Sequence, residues 1–223
     1  MDNEELLYID NNQGRKLFYR FTPASFISVF TPLVVILHDK DGSGAAHFEY
    51  KMWNVLTPIH DCSSKNTTSC WLGEGEDFFV KDLLQELIEN ICQEHDCEDQ
   101  IYFYGKGEGG YGAILHGILS QANAVFTQSP QIRLEAKKDE TKVVRENDLS
   151  RFLNETDTFP IFYLCEDKFL VDNNSDYSAK DEIDYFTLSC KKQKIRCHRD
   201  FCPKPSDKDE SVLKEVLDMF ERE

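Results

Sequence analysis

Residues 101–119, IYFYGKGEGGYGAILHGIL, decide how this chain folds. Ile101, Tyr102, Phe103 and Tyr104 make a short apolar run that ends at a glycine, the pattern of a buried strand. Gly105, Gly107, Gly109 and Gly110 then fall within six residues, too dense in glycine for regular structure, and mark a sharp turn. Tyr111, Ala113, Ile114 and Leu115 occupy the first two turns of a helix that follows. The predicted unit is strand, tight turn, helix. Glycines at alternate positions of such a turn let a strained backbone lift one side chain above the sheet, toward the helix N-terminus. The lifted position is Gly107, which carries no hydroxyl, thiol or carboxylate, so covalent acyl transfer cannot begin there.

Outward from this unit, strands and helices alternate. Residues 16–21 (KLFYRF) read as a first strand, and 32–37 (PLVVIL) as a central parallel strand covered on both faces. Residues 45–52 suit a short helix and 53–58 (WNVLTP) a strand. An irregular polar stretch leads into a helix over 78–94, where Phe79, Leu83, Leu84, Leu87, Ile88 and Ile91 recur at helical spacing. Beyond the central unit come a strand at 124–128, a charged connection at 129–158 with a helix near 144–153, and a strand at 160–164. A helix at 181–191, a strand at 195–198 and a helix at 211–222 close the chain. The order predicts an α/β fold with a mostly parallel sheet and helices on both faces, three layers in all. One domain over 1–223 is expected, with 129–158 as an insertion or cap.

Composition bounds the function. Across 223 residues the formal charge is −16, which repels nucleic-acid phosphates, and no Lys/Arg stripe stands out to overcome it; no nucleic-acid partner is expected. No apolar run nears the ~20 residues of a membrane helix, so no membrane insertion is expected. The acidic start MDNEELLYID lacks the features of a secretory signal, which points to the cytoplasm. The eight cysteines show no CxxC pair or paired-ligand spacing and read as free thiols, with no metal and no cofactor.

With this order in view the chain resembles the α/β-hydrolase-fold proteins. More narrowly it resembles bacterial hydrolase-like proteins found with capsule, surface-glycan and accessory-secretion systems. The resemblance rests on PLVVILHDKDGSG (32–44), WNVLTP (53–58), CWLGEGEDFF (70–79), YFYGKGEGGYGAILHG (102–117) and SPQI (129–132). It implies a serine at the turn, an acid after the next-to-last strand and a histidine after the last. Carried over, the serine becomes Gly107. The acid becomes Glu166 or Asp167, and the histidine has no good counterpart, His198 standing too early. In the family the loop after the central strand begins His-Gly and supplies an oxyanion-hole N–H; here it begins with His38 and Asp39. Asp39 would place a carboxylate where an oxyanion should sit.

Two function classes follow. In the first, the chain is a catalytically degenerate hydrolase-like protein that binds a glycan, a small molecule or a protein partner, in surface-polysaccharide or glycoprotein biosynthesis. Its degenerate site is His38, Asp39, Gly107, Glu108 and Asp167. Its ligand-binding candidates are Lys106, Gly109, Gly110, Tyr111, Trp71 and Glu74, with helix N-terminal N–H groups at Gly109 and Gly110 flanked by Lys106. In the second, it is an esterase or an acyl- or glycan-modifying hydrolase with relocated chemistry, Glu108 acting as nucleophile or base with Cys165 or His38. Each of these residues also has a structural reading: Glu108 as a helix N-terminal charge, Cys165 as a small core residue, His38 as a strand-end hydrogen bonder.

Overall fold

The computed structural model describes residues 6–26, 31–39, 47–60, 67–69, 71–74, 77–97, 99–134, 146, 148–154, 158–166, 178–199 and 215–216. Ten strands are described: β1 (Leu7–Asp10), β2 (Lys16–Thr22), β3 (Leu33–Leu37), β4 (Asn54–Ile59), β5 (Thr67–Ser69), β6 (Gly73–Glu74), β7 (Ile101–Lys106), β8 (Ala124–Gln128), β9 (Ile161–Cys165) and β10 (Cys197–His198). The helices are α1 (Phe79–His95), α2 (Glu108–Leu119) and α3 (Ala179–Lys192), with a 3-10 helix at Leu149–Asn154. Eight strands form one sheet in the order β1-β2-β4-β3-β7-β8-β9-β10; β5 and β6 pair separately. β1, β2 and β4 run antiparallel to their neighbours in that order, and every pairing from β4–β3 to β9–β10 is parallel.

Strand alternation splits the core in two. Leu33, Val35 and Leu37 of β3, Phe103 of β7, Val125 of β8 and Phe162 of β9 share one cluster with the apolar stripes of α1, α2 and α3. Their alternate neighbours Val34, Ile36, Tyr102, Tyr104, Phe126 and Tyr163 face a second cluster with Trp53 and with Val216, which is helical. All five β3 side chains are buried, as a strand covered on both faces requires. The predicted α/β architecture, mostly parallel with helices, is therefore the observed one.

The helix ends are set by the backbone more than by side chains. Ser178 caps α3 by accepting the Asp181 N–H at 3.3 Å. Each helix closes on a left-handed residue, Asp96, Gln121 or Lys194. The next N–H in turn reaches back to the last turn: Cys97 to the Cys92 carbonyl, Ala122 to Gly117 and Ile195 to Cys190.

Several expectations are corrected. β1 was not anticipated; it is a short antiparallel edge. Of the helix expected over 45–52, the described residues 47–52 are not helical. Phe48 and Tyr50 stack with centroids 6.1 Å apart, an alternate-residue contact that belongs to extended chain. The helix near 144–153 is the shorter 3-10 helix. Cys165 is disulfide-bonded, which corrects the expectation of eight free thiols; Cys92, Cys97, Cys190 and Cys197 are free. The helix at 211–222 lies outside the described residues except at 215–216. Among the described residues no helix is long and apolar enough to cross a membrane.

Candidate functional site

β7 ends in the centre of the sheet at Lys106, and α2 begins two residues later. Between them Gly107 sits at φ 55°, ψ −119°, a conformation that costs a side-chain-bearing L-residue energy. Three hydrogen bonds fix it: its N–H donates to the Gln128 carbonyl at 3.0 Å, and its own carbonyl accepts the N–H groups of Tyr111 and Gln131 at 3.2 and 3.3 Å. The glycines around it permit close packing. A Cβ on Gly109 would stand 2.2 Å from the Leu37 carbonyl oxygen, so α2 can approach β3 this closely only without a side chain there.

The space above Gly107 is taken by Asp39. A Cβ built on Gly107 would meet Asp39 Oδ2 at 2.2 Å, its Cγ at 2.5 Å and Oδ1 at 2.6 Å. Asp39 Oδ1 accepts the backbone N–H of Glu108, the first residue of α2, at 3.0 Å. One carboxylate thus covers the vacant side-chain position and occupies a donor at the positive end of a helix.

His38 is 5% exposed and faces protein. Its Nε2 accepts the His60 N–H at 3.2 Å, which leaves Nδ1 to carry the proton, 2.8 Å from the Asp39 carbonyl oxygen. Trp71 closes over this pair. Its ring meets the His38 ring edge-on at 4.8 Å, and its Nε1–H donates to the His38 carbonyl at 3.2 Å. Trp71 also lies against Gly112 of α2, where a Cβ would stand 2.4 Å from the indole Cγ.

The other candidates divide by exposure. Trp71 and Tyr111 are wholly buried, and the Tyr111 hydroxyl donates to the Glu146 carbonyl at 2.7 Å; neither presents a face to a ligand in this arrangement. Gly109 and Gly110 are buried, and a Cβ on Gly110 would meet Pro130 at 2.9 Å. Glu74 is paired with Arg15 at 3.2 Å, beside Asp77, which pairs with the same guanidinium at 2.9 Å. Lys106 and Glu108 are partly exposed at the turn. Glu166 directly follows β9, and Asp167 lies outside the described residues.

His198 is in β10 opposite Tyr163 and stacks on that ring at 5.0 Å. Lys106, by contrast, is level with Gln128 and Cys165, two residues further along β9. With three strand spacings between β7 and β10, His198 is ~14 Å from the turn across the sheet. The structure brings together Asp39, Gly107, Glu108 and His38, and leaves His198 apart. Among the described residues no group of three or more His, Cys, Asp or Glu side chains is placed to hold a metal.

No family model matches this sequence, and no curated protein matches it. Solved structures do. An S-formylglutathione hydrolase from Agrobacterium tumefaciens superposes with a TM-score of 0.68 at 12% identity, covering 97% of this chain and 94% of that one. The apo form of Thermogutta terrifontis esterase 2 gives 0.65 at 12% identity, with 98% and 92% covered. A Bacteroides ovatus protein described as a putative dipeptidyl aminopeptidase IV gives 0.66 at 13% identity; 98% of this chain is covered, but the match spans only 35% of that longer one. These identities speak to architecture alone, and on that evidence the chain has the α/β-hydrolase fold.

Proposed function

We propose that this chain is a catalytically silent α/β-hydrolase-fold protein that acts by binding. The observation that carries the reading is the Asp39 carboxylate lying over Gly107 and accepting the Glu108 N–H. In an acyl-transfer site the same volume would hold the nucleophile, and the same N–H would stabilise the oxyanion. A resident carboxylate excludes both, and it repels the negative charge that the transition state develops. The missing nucleophile and the distant His198 agree with this reading, since loss of either group alone removes nearly all triad catalysis.

The partner class proposed is a glycan, a small molecule or a protein of surface-polysaccharide or glycoprotein assembly. Its support is the sequence resemblance across 32–132. We take the chain as one domain with 129–158 as an insertion or cap.

Hydrolysis of p-nitrophenyl acetate tests the reading. The wild-type protein is expected to match its own heat-denatured control. Turnover that disappears in Glu108→Ala would overturn the proposal in favour of relocated hydrolase chemistry. Binding of a surface oligosaccharide by the silent protein, lost in Lys106→Ala, would support the ligand assignment.

A further inference from the structure

The end of α3 and the start of β10, three strands along the sheet from the Gly107 turn, hold two free cysteines that the candidate site does not use. Cys190 is in the last turn of α3 and wholly buried; Cys197 opens β10 and is partly exposed. Residues 191–196 separate them in sequence, and the backbone folds this link back on itself. The Cys190 carbonyl accepts the N–H groups of Gln193 and Ile195 at 3.1 and 2.9 Å, and the Phe162 N–H donates to the Arg196 carbonyl at 3.1 Å. Cys197 pairs with Phe162 in register, and paired residues of neighbouring strands point to the same face. Phe162 meets Phe186 of α3 edge-on at 5.2 Å, so that face is the one α3 covers.

The two thiols therefore meet under the helix. They hydrogen-bond one another, and Cys197 Sγ lies 3.8 Å from the hydroxyl oxygen of Thr187, three residues before Cys190 on the same helical face. Their settings differ. The Cys190 S–H, the Thr187 hydroxyl and the charge of Arg199, itself paired with Asp184, favour a thiolate at Cys197 and hold its thiol below the ordinary value, against burial. Cys190 is pushed the other way, chiefly by its bond to Cys197 and then by burial, and keeps its proton. A buried cysteine without such partners is an inert small apolar group. A partly exposed thiolate backed by a second thiol is a reactive one.

We propose that Cys190 and Cys197 form a reactive dithiol that exchanges with low-molecular-weight disulfides, Cys197 being the attacking sulfur and Cys190 the resolving one. The Cys197 thiolate attacks one sulfur of R–S–S–R, a Cys197–S–S–R bond forms and RS⁻ leaves. That step consumes the thiolate that kept the proton on Cys190, so the resolving thiol becomes easier to ionise when it is needed. Cys190 then gives up its proton and its sulfur attacks Cys197 Sγ, expelling the second RS⁻. The two protein sulfurs lose two electrons to the small disulfide, which ends as RS⁻ and RSH. Thiols already in contact need little backbone movement to join, and the bond staples the two-residue strand β10 to α3. The reaction is independent of the chemistry at Gly107.

Glutathione disulfide is the probe. The full chain is equilibrated in glutathione redox buffers, alkylated, and digested with trypsin, which cuts after Lys191, Lys192, Lys194 and Arg196 and so separates the two cysteines unless they are bonded. A linked pair of the peptides 181–191 and 197–199 is expected by mass spectrometry, rising with the proportion of disulfide. Cys190→Ser should stop at glutathione on Cys197, formed about ten-fold faster than on the buried Cys92 or Cys97, and Cys197→Ser should leave Cys190 unmodified over the same time. Wild-type protein with no 190–197 link at any buffer ratio overturns the dithiol, whatever the variants do. Glutathione reaching Cys190 in Cys197→Ser as fast as it reaches Cys197 in Cys190→Ser overturns the assignment of roles. A cross-link from either cysteine to a different one in place of this pair overturns the site.

Discussion

Asp39 and Gly107 are matched to one another: the aspartate carboxylate fills the space that any side chain at 107 would need, with Oδ2 2.2 Å from the position of a built Cβ. The pair therefore behaves as a unit in a double-mutant cycle. Gly107→Ala alone carries the left-handed backbone cost of roughly 1–2 kcal/mol and must also evict a carboxylate from the Glu108 N–H. In an Asp39→Ala background only the backbone cost remains. The expected coupling is on the order of 1–2 kcal/mol in urea unfolding; additive effects would mean that the two positions do not compete for space.

Gly107→Ser should stay inactive toward p-nitrophenyl acetate, both alone and combined with Asp39→Ala. The double variant frees the position and the N–H, but the serine still has no base, because His198 is held three strands away against Tyr163. Clear turnover in the double variant would show that another group, His38 foremost, can serve as base.

The turn, its flanking strand and helix, and the central strand β3 were legible because their signals are local: glycine spacing, apolar runs and helical periodicity. Asp39 at the candidate site was legible for the same reason, as a carboxylate in a loop where glycine was expected. Its contact with the Glu108 N–H joins residues 69 apart and is visible only in three dimensions. Trp71 and Tyr111 looked like ligand surface because aromatics beside a glycine turn fit either role. Burial separates the two, and here Trp71 packs on the glycine at 112 while Tyr111 reaches Glu146.

His116 makes the stability depend on pH. Buried in α2, it donates from Nε2 to the Trp71 carbonyl at 3.1 Å and accepts at Nδ1 from the Gln85 amide at 2.8 Å. Burial is the main force holding it down, with the Lys81 charge adding and the Trp71 bond opposing, from the ordinary 6.5 to about 4. The unfolded chain takes up the proton below 6.5 and the folded chain only below about 4. The stabilisation is thus complete above 6.5 and is lost as pH falls from 6.5 toward 4, by about 3 kcal/mol in all. His116→Gln should remove that part of the slope between pH 6.5 and 4 in denaturant titrations; an unchanged difference between the two proteins across that range would refute it.

Glu182 ties α3 to the loop after β8. Its Oε2 accepts the backbone N–H groups of Ile132 and Arg133 at 3.1 and 2.8 Å, while Oε1 accepts Arg133 Nε at 2.9 Å. Removing the carboxylate strands a buried N–H, whereas removing the half-exposed guanidinium leaves the acid its two backbone donors. Glu182→Ala is expected to cost on the order of 3 kcal/mol and Arg133→Ala under about 1 kcal/mol. Equal losses would place the energy in the ion pair rather than in the backbone bonds.

Thr127 supplies the opposite case, a buried polar group whose removal should help. It lies in β8 beside Gly105, wholly buried, and among the described residues its hydroxyl has no hydrogen-bond partner. A donor removed from water with nothing to replace the lost bond costs roughly 1–3 kcal/mol, part of which a methyl group of the same shape recovers. Valine keeps the β-branched outline that the strand packs around. Thr127→Val should therefore raise stability by about 1 kcal/mol, seen as a higher urea midpoint at unchanged slope. A lower midpoint would mean that the hydroxyl is satisfied in solution, for instance by a buried water.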